Sequence, residues 1–394
     1  MNTTVPKLSQ RMFVIDALRG FALVSIILLH NIERFEVYYF PTHLPQWLNQ
    51  IDKIVWDTFF FIFGGKSYAI FALLFGLTFY IQITNQEKSG QDFRLRFLWR
   101  LLLLFGFGFI NTLFYQGEIL VLYALVGVLI IPFAHLSNRV IFLFALFFLF
   151  QPILWIKVIY ALNHPDMTPA EPAFMPYYMK VDEFLKGDSM FALIKSNITT
   201  GRIASLLWYW EYDRVEQSLG LFLLGYLAGR NKLFAFTEVN IAFWKKTLLI
   251  SALLFIPLFI LKTYPEYYST SKIVGANISA IIGMWSNLAF MLVLVASFLL
   301  LYYTTKIQKQ LNLLSIWGKM SLTNYILQSI LGSFVYYGFG LAAYKYVGST
   351  MCLGIGILMV IAQGLFCKYW LQHHKRGPLE ELWHRLTWIG TDKK

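Results

Sequence analysis

Long apolar runs separated by short polar segments dominate the chain. About ten of these runs have the length of roughly 20 residues that crosses a bilayer. Their limits are 13–32, 55–83, 98–115, 119–134, 139–161, 217–230, 247–262, 276–303, 316–340 and 347–371. The pattern predicts an all-α fold, a polytopic transmembrane helical bundle that forms a single integral membrane domain over residues 1–394.

Positive charge is concentrated in alternate connections between the runs. The dense segments are 88–100, 230–246, 306–319 and 368–394. Because Lys and Arg favour cytoplasmic connections and the span count is even, both termini are predicted to be cytoplasmic. The inverted orientation is the less favoured alternative, because much of the positive charge on the predicted outer side lies in one long loop that the rule ignores.

Two segments outside the runs have a character of their own. Residues 162–216 begin with four prolines, which forbid a continuous helix, and end in an aromatic stretch that suits a membrane interface. We interpret them as an extracytoplasmic loop or a partly helical cap. In the cytoplasmic tail, 372–394, apolar residues recur at helical spacing from Leu379 to Leu386, which predicts an interfacial helix.

The first run is unusual because it carries charge. Asp16, Arg19 and His30 fall within an arc of roughly 60° on a helix. Arg19 and His30 are separated by about 16 Å along its axis. Intramembrane charge is costly and usually borders protein or water, so this face is predicted to be functional. The alternative is an Asp16–Arg19 ion pair that only fastens the helix to a neighbour.

Other polar residues lie at or near the predicted bilayer depth. Lys66 follows two glycines in the second run, and Glu118 stands at the head of the fourth. Asn324 and Gln328 share one helical face of the ninth run, where hydrogen bonds between helices are their commoner role. Arg100 lies near the predicted inner mouth, where basic side chains attract phosphates.

Composition narrows the class of protein further. The chain is 58% hydrophobic and 14% charged, far more apolar than a soluble domain. Its net charge of +12 is spread between the runs, so a lipid bilayer is the expected partner and nucleic acid is not. We expect no metal site and no disulfide, because the motifs for both are absent and the two cysteines lie in an apolar run.

Six short motifs are distributed from the first run to the tail. They are Asp-Ala-Leu-Arg-Gly-Phe-Ala-Leu (16–23), Gly-Lys-Ser-Tyr to Leu-Phe-Gly (65–76), Gly-Glu-Ile-Leu to Tyr-Ala-Leu (117–125), Met-Ser-Leu-Thr-Asn-Tyr to Gln-Ser (320–329), Tyr-Gly-Phe-Gly (337–340) and Gly-Pro-Leu-Glu (377–380). In this order they resemble the YeiB-like family of bacterial inner-membrane proteins. Two positions depart from the family pattern: Asn111 stands where His is usual, and Glu118 where Asp is usual.

The first two runs also look like those of transmembrane acyltransferases such as heparan-α-glucosaminide N-acetyltransferase. That likeness implies transfer of an acyl group from cytosolic acyl-CoA, such as acetyl-CoA, to an extracytoplasmic sugar or glycan. It implies an essential histidine in the loop after the first span, which His43 matches best. His43 or His30 would act as base or acyl carrier, and Lys66 would stabilise the oxyanion. Asp16 is a further candidate catalytic residue. The candidate substrate- or cofactor-binding residues are Arg19, Glu118, Asn324, Gln328 and Arg100.

Two other functions remain open. A transporter or flippase of a small polar or lipid-linked solute would use the same polar residues to line a cavity. A non-catalytic assembly or stress-related membrane protein would use them only to hold helices together. The oligomeric state is open for all three functions, with a homodimer as one alternative.

Overall fold

The structure, a computed structural model, describes residues 13–88, 90 and 92–390. The predicted domain limits at residues 1 and 394 lie outside these described residues. Eighteen α-helices and no strand occur in the described part of the chain. Numbered α1 to α18 in order, the helices are Phe13–Ile32, Gln46–Phe63, Ser67–Glu87, Arg94–Thr112, Leu120–Leu129, Asn138–Phe150, Pro152–Asn163, Met175–Lys186, Met190–Ser196, Arg202–Glu211, Arg214–Arg230, Glu238–Thr263, Lys272–Thr304, Gln308–Leu313, Ser315–Lys319, Ser321–Tyr336, Ser349–His373 and Pro378–Thr387.

Within these described ranges, six helical segments are long and apolar enough to cross a membrane. They are Phe13–Ile32, Gln46–Glu87, Arg94–Thr112, Glu238–Thr263, Lys272–Thr304 and Ser349–His373. A seventh is added if α6 and α7, which meet at 40°, count as one bent span. The all-α membrane fold is confirmed. The count of about ten spans and the cytoplasmic placement of the termini are not.

Several predicted spans are broken into shorter helices for local reasons. Gly65 adopts a φ of 73° between α2 and α3, a conformation that glycine reaches without steric cost. Pro152 follows Gln151, whose φ is 63°, and starts α7 in a new direction. Pro132 lies at the start of a 3-10 turn that ends α5. At these three points a window of apolar residues overestimates helix length, whereas α12 continues through Pro257.

Helix α1 lies at the centre of the fold and contacts α2, α3 and α13 to α17. Its closest approach is to α15. A Cβ atom on Gly20 would lie 1.8 Å from the backbone oxygen of Leu314, and one on Gly318 would lie 1.8 Å from that of Asp16. Only glycine permits such contact, so the glycine of the Asp-Ala-Leu-Arg-Gly segment has a packing role.

Helices α3 and α11 pack against each other in the same way. A Cβ atom on Gly76 would lie 1.8 Å from the Phe222 oxygen, and one on Gly225 would lie 1.8 Å from the Leu73 oxygen. A hydrogen bond of 2.7 Å between the hydroxyls of Ser25 and Ser67 also joins α1 to α3.

The two segments outside the apolar runs both fold into helices. Residues 162–216 contain α8, α9 and α10, joined by a π-helical turn at Asn197–Gly201. The tail helix α18 contacts α4 and α16. Its Glu380 carboxylate accepts hydrogen bonds from the backbone N–H groups of Leu322 (2.7 Å) and Thr323 (3.0 Å). Glu380 thus caps α16, which links the Gly-Pro-Leu-Glu segment physically to the Met-Ser-Leu-Thr-Asn-Tyr segment.

Candidate functional site

Two cavities lie along one face of α1. The basic cavity has a volume of about 320 Å³ and the acidic cavity about 750 Å³, both in the usual range of small-molecule sites. The charged residues and the histidine that line the basic cavity are Arg19, Arg100, Lys319, Arg376, Glu380 and His384. Polar residues of the acidic cavity include His30, Glu33, Glu36, Gln116, Asp182 and Arg214. The names refer to the charge that prevails among these lining residues.

Asp16 and Thr78, both among the described residues, hold Arg19 beside the basic cavity. Its guanidinium is 3.1 Å from the Asp16 carboxylate and donates a hydrogen bond of 3.0 Å to the Thr78 hydroxyl. The Asp16–Arg19 ion pair, which the sequence offered as a purely structural alternative, is therefore present. Arg19 nevertheless lines the cavity, and its partners fix the direction of the guanidinium.

The tail helix α18 supplies one wall of the basic cavity. Trp383 and His384 from this helix line it, beside Arg100 from α4. The Arg100 guanidinium lies 4.2 Å from the centre of the Trp383 ring and donates to the Thr387 hydroxyl at 3.1 Å. Arg100 is therefore held in place by a stacked ring, an arrangement that suits a planar cation facing a phosphate.

The acidic cavity is shaped by an unusual turn directly after α1. Arg34, Phe35 and Glu36 have φ values of 54°, 52° and 70°, three consecutive left-handed residues of which none is glycine. Such backbone is strained and persists only where its surroundings enforce it. The Tyr337 hydroxyl donates to the Phe35 oxygen at 3.0 Å, and Arg34 donates to the Val347 oxygen at 3.1 Å. The turn brings Glu36 to the cavity already lined by Glu33.

The two carboxylates resist ionisation. Burial raises the pKa of Glu33 to about 8, and the neighbouring charge of Glu36 adds to this shift. Burial raises the pKa of Glu36 to about 7, while a hydrogen bond from Tyr115 opposes it. Both groups therefore exchange protons near neutral pH, which is the range that suits a general acid or base.

His30 stands beside this pair at the end of α1. Its ring centre lies 4.8 Å from that of Tyr115 and 5.7 Å from that of Phe35. Its ring lines the acidic cavity, and the buried side chain of Gln328 interacts with it.

The two cavities meet at one place, which we call the junction. Ile26, Tyr68, Ile119 and Tyr325 line both of them. Arg19, Ile26 and His30 fall within roughly 40° of one another around α1. One face of one helix therefore runs past the basic cavity, the junction and the acidic cavity in turn.

Other predicted site residues lie elsewhere. Lys66 is only 6% exposed, and its ammonium donates to the Phe61 oxygen at 2.8 Å and faces the Phe290 ring at 5.6 Å. It lines neither cavity, although the adjacent Gly64 and Gly65 line the acidic one. His43 is exposed in the loop before α2 and also lines neither. Their proposed catalytic roles remain predictions without support from cavity geometry.

Three further predicted residues have partners or positions within the helix packing. The buried Glu118 carboxylate accepts from the backbone N–H groups of Leu120 and Val121 and so caps α5. Asn324 donates to the Cys367 sulfur at 3.0 Å and joins α16 to α17. Gln328 is fully buried, and neither it, Asn324 nor Glu118 lines a cavity.

The residues that sequence reasoning missed are mainly those of the acidic cavity. Glu33 lies one residue beyond the apolar run, on the same helical face as Arg19, so a longer projection of α1 would have found it. No sequence pattern places Glu36, Gln116 or Arg214 near α1. They reach the acidic cavity because they lie on loops or on helices that are distant in sequence. Among the described residues, no group of three His, Cys, Asp or Glu is arranged to hold a metal ion.

Comparison with known proteins places the chain among uncharacterised relatives. Residues 228–390 match the family described as "Protein of unknown function (DUF418)". An uncharacterised 39.9 kDa protein in the amylase 3' region of Bacillus acidopullulyticus is 27% identical, over 97% of this chain and 95% of that protein. The uncharacterised protein YxaH of Bacillus subtilis is 25% identical, over 99% of this chain and 98% of that protein.

A third relative carries the name that the motifs suggested. The uncharacterised protein YeiB of Escherichia coli is 24% identical, over 96% of this chain and 96% of that protein. No solved structure matches. The chain is therefore similar over nearly its full length to YeiB, and its residues 228–390 match the DUF418 family model.

Proposed function

We propose that this protein is a multi-pass acyltransferase of the bacterial inner membrane. It moves an acyl group, such as acetyl, from cytosolic acyl-CoA to an extracytoplasmic sugar or glycan. The observation that carries this proposal is the junction: a basic cavity and an acidic cavity, opposite in charge, share Ile26, Tyr68, Ile119 and Tyr325. A donor and an acceptor held in the two cavities would bring their reacting ends together there.

The basic cavity suits the donor. Arg19, Arg100, Lys319 and Arg376 give it four basic side chains against the single carboxylate of Glu380. Guanidinium and ammonium groups bind phosphates through charge-assisted hydrogen bonds. The phosphates of CoA would lie at this mouth, with the thioester directed towards Ile26 on α1. With the N-terminus cytoplasmic, this mouth faces the compartment that holds acyl-CoA.

The acidic cavity suits the acceptor and the proton transfer. Tyr38, Tyr178, Trp208 and Tyr212 supply aromatic walls and hydroxyls of the kind that hold sugar rings. An acceptor hydroxyl or amine attacks the thioester carbonyl, and His30 or Glu33 takes its proton. The new bond to the acyl carbon forms as the carbon–sulfur bond breaks, and CoA leaves as the thiolate, which then takes a proton.

A transfer assay with purified protein tests this proposal. Radiolabelled acetyl-CoA is mixed with the protein in nanodiscs and a panel of hexoses, amino sugars and glycans, and calorimetry measures acetyl-CoA binding. We expect binding of acetyl-CoA and label on at least one acceptor, both lost in protein unfolded by heat. No binding and no transfer to any acceptor would overturn the proposal.

A transporter or flippase is the second candidate, because cavities that adjoin across an apolar junction also describe a carrier with a closed gate. Sealed vesicles separate the two functions. A carrier moves an unmodified labelled solute across the membrane without acetyl-CoA, whereas an acyltransferase labels a trapped acceptor only when acetyl-CoA is present.

A further inference from the structure

A third cavity of about 570 Å³ lies apart from the junction and shares no lining residue with the other two cavities. We call it the interfacial cavity. Its lining includes Arg34, Phe40, Asn49, Asp52, Lys53 and Ser349. It forms where three helix ends converge, since α1 ends at Ile32, α2 begins at Gln46 and α17 begins at Ser349.

These helix ends place the cavity at the level of lipid headgroups. All three helices belong to segments long and apolar enough to cross a membrane, and such segments begin and end where hydrocarbon gives way to headgroups. Helix α2 has no buried residue and exposes Ile51 and Ile54, as a helix facing lipid does. Trp47, 63% exposed in its first turn, is typical of the membrane interface.

Arg34 gives the interfacial cavity a buried cation with spare hydrogen-bonding capacity. The side chain is 1% exposed, its Nε donates to the Val347 oxygen, and its guanidinium faces the Phe40 ring at 5.3 Å. In the part of the chain that the structure describes, its Nη2 atom has no hydrogen bond and no carboxylate lies within ion-pair distance. A buried guanidinium without a counter-ion is unfavourable, and phosphate is the partner whose geometry it matches.

Asp52 gives the same cavity a carboxylate that does not pair with Arg34. Its Oδ1 accepts a hydrogen bond of 2.7 Å from the Thr350 backbone N–H, at the start of α17. Its Oδ2 lies against Gly348, where an added Cβ atom would be 1.7 Å away. Two cations, Arg34 and Lys53, and one anion, Asp52, thus line the cavity. Lys53 is already paired with the Asp57 carboxylate at 2.5 Å, which leaves Arg34 and Asp52 as the two separate charges. A ligand that carries both charges complements them, whereas a purely anionic one meets repulsion from Asp52.

We infer that the interfacial cavity binds the headgroup of a zwitterionic phospholipid, with the lipid phosphate at Arg34 and the ammonium group near Asp52. The exposed apolar side chains of α2 lie beside the lipid tails. None of the residues that line the basic or acidic cavity lines this site, although Arg34 also belongs to the turn that shapes the acidic cavity. Lipid Kd tests this inference and transfer of label tests the acyltransferase proposal, so failure of one is distinguishable from failure of the other.

Native mass spectrometry of the full-length protein in detergent tests the inference. Phosphatidylethanolamine, phosphatidylglycerol and inorganic phosphate are titrated separately into delipidated protein. We expect phosphatidylethanolamine to bind with the lowest Kd and inorganic phosphate not to bind. Equal Kd values for the two lipids, or binding of inorganic phosphate as tight as that of lipid, would overturn the inference.

Substitutions locate the site. Arg34→Gln should raise the Kd for phosphatidylethanolamine about tenfold or more, the loss expected for a charge-assisted hydrogen bond. Arg139→Gln, an exposed arginine on α6, is the matched control and should change nothing. Unchanged binding by a folded Arg34→Gln variant contradicts the inference.

Asp52→Asn keeps the acceptor for Thr350 and removes only the charge, so it should reverse the order of the two lipids. This reversal is measured with Arg34 intact and stands even if Arg34→Gln fails to fold. Retention of the wild-type order would contradict the zwitterionic assignment.

Discussion

The basic cavity and the acidic cavity lie on the same face of α1 but are built from different kinds of structure. Helix interiors and the tail helix shape the basic cavity, and its arginines are held by partners such as Asp16 and Trp383. A strained turn and the helices of residues 162–216 shape the acidic cavity. Fixed positive charge suits binding of a donor, while carboxyls that titrate near neutral pH suit proton transfer. Under the proposed function, the basic cavity binds the donor, and the acidic cavity holds the acceptor and takes its proton.

The largest expected effect comes from removing the bases of the acidic cavity. His30→Gln combined with Glu33→Gln should lower kcat about 10³-fold, because general base catalysis contributes between roughly 10² and 10⁴. The Kd for acetyl-CoA, measured by calorimetry, should stay the same. His43→Gln tests the alternative that His43 is the essential base. If His43→Gln were inactive while the His30→Gln/Glu33→Gln variant stayed fully active, the assignment of the base to His30 or Glu33 would be contradicted.

The next effect comes from filling the junction. Ile119→Trp should leave both ligands bound yet lower transfer by about 10²-fold, a loss that a misplacement of ~1 Å can cause. Ile119→Val, which removes only one methylene group, is the control and should keep most of the activity. Full activity in a folded Ile119→Trp protein would mean that donor and acceptor do not meet at this point.

A smaller effect is expected in the basic cavity. Lys319→Gln should raise the Kd for acetyl-CoA about tenfold, the loss of one charge-assisted contact. The difference from wild type should shrink as salt is added, because salt screens partly exposed charges. Lys306→Gln, exposed between α13 and α14, is the matched control. An equal effect of both substitutions would indicate only a general attraction for anions.

The smallest effect concerns stability and pH. Folding raises the pKa of Glu33 from 4.5 to about 8, so the folded protein binds more protons than the unfolded protein in this window. Its contribution to stability is therefore complete below pH 4.5 and is lost as pH rises towards about 8. The melting temperature should fall by a few degrees across this range, and less in Glu33→Gln. Asp188→Asn, at an exposed position, is the control and should keep the wild-type dependence of melting temperature on pH. The wild-type dependence in Glu33→Gln as well would show that Glu33 is not its cause.

The sequence predicted the parts of the molecule that depend on local periodicity. The 3.6-residue repeat of α1 placed Arg19 and His30 on one face, and both line cavities on that face. Helical periodicity could not predict the position of the Lys66 side chain. The turn at Gly65 directs its side chain to the Phe61 oxygen, so depth in the membrane alone did not reveal its neighbours.

The rest of the site depends on structure that has no local signature. Glu36 reaches the acidic cavity only because a turn of left-handed residues follows α1, and distant tyrosines hold that turn. Glu118 shows the converse problem. In the sequence, a carboxylate at the start of a helix looks the same whether it binds a ligand or caps the helix. In the structure, Glu118 accepts hydrogen bonds from the backbone of its own helix, so it is a cap.

A structure of the protein with a non-hydrolysable acetyl-CoA analogue tests the division between the two cavities most directly. We expect density for the phosphates beside Lys319, Arg100 and Arg376, and the acyl end at the junction beside Tyr68 and Tyr325. A basic cavity that stays empty at saturating analogue, or an analogue bound with its acyl end away from the junction, would contradict this division.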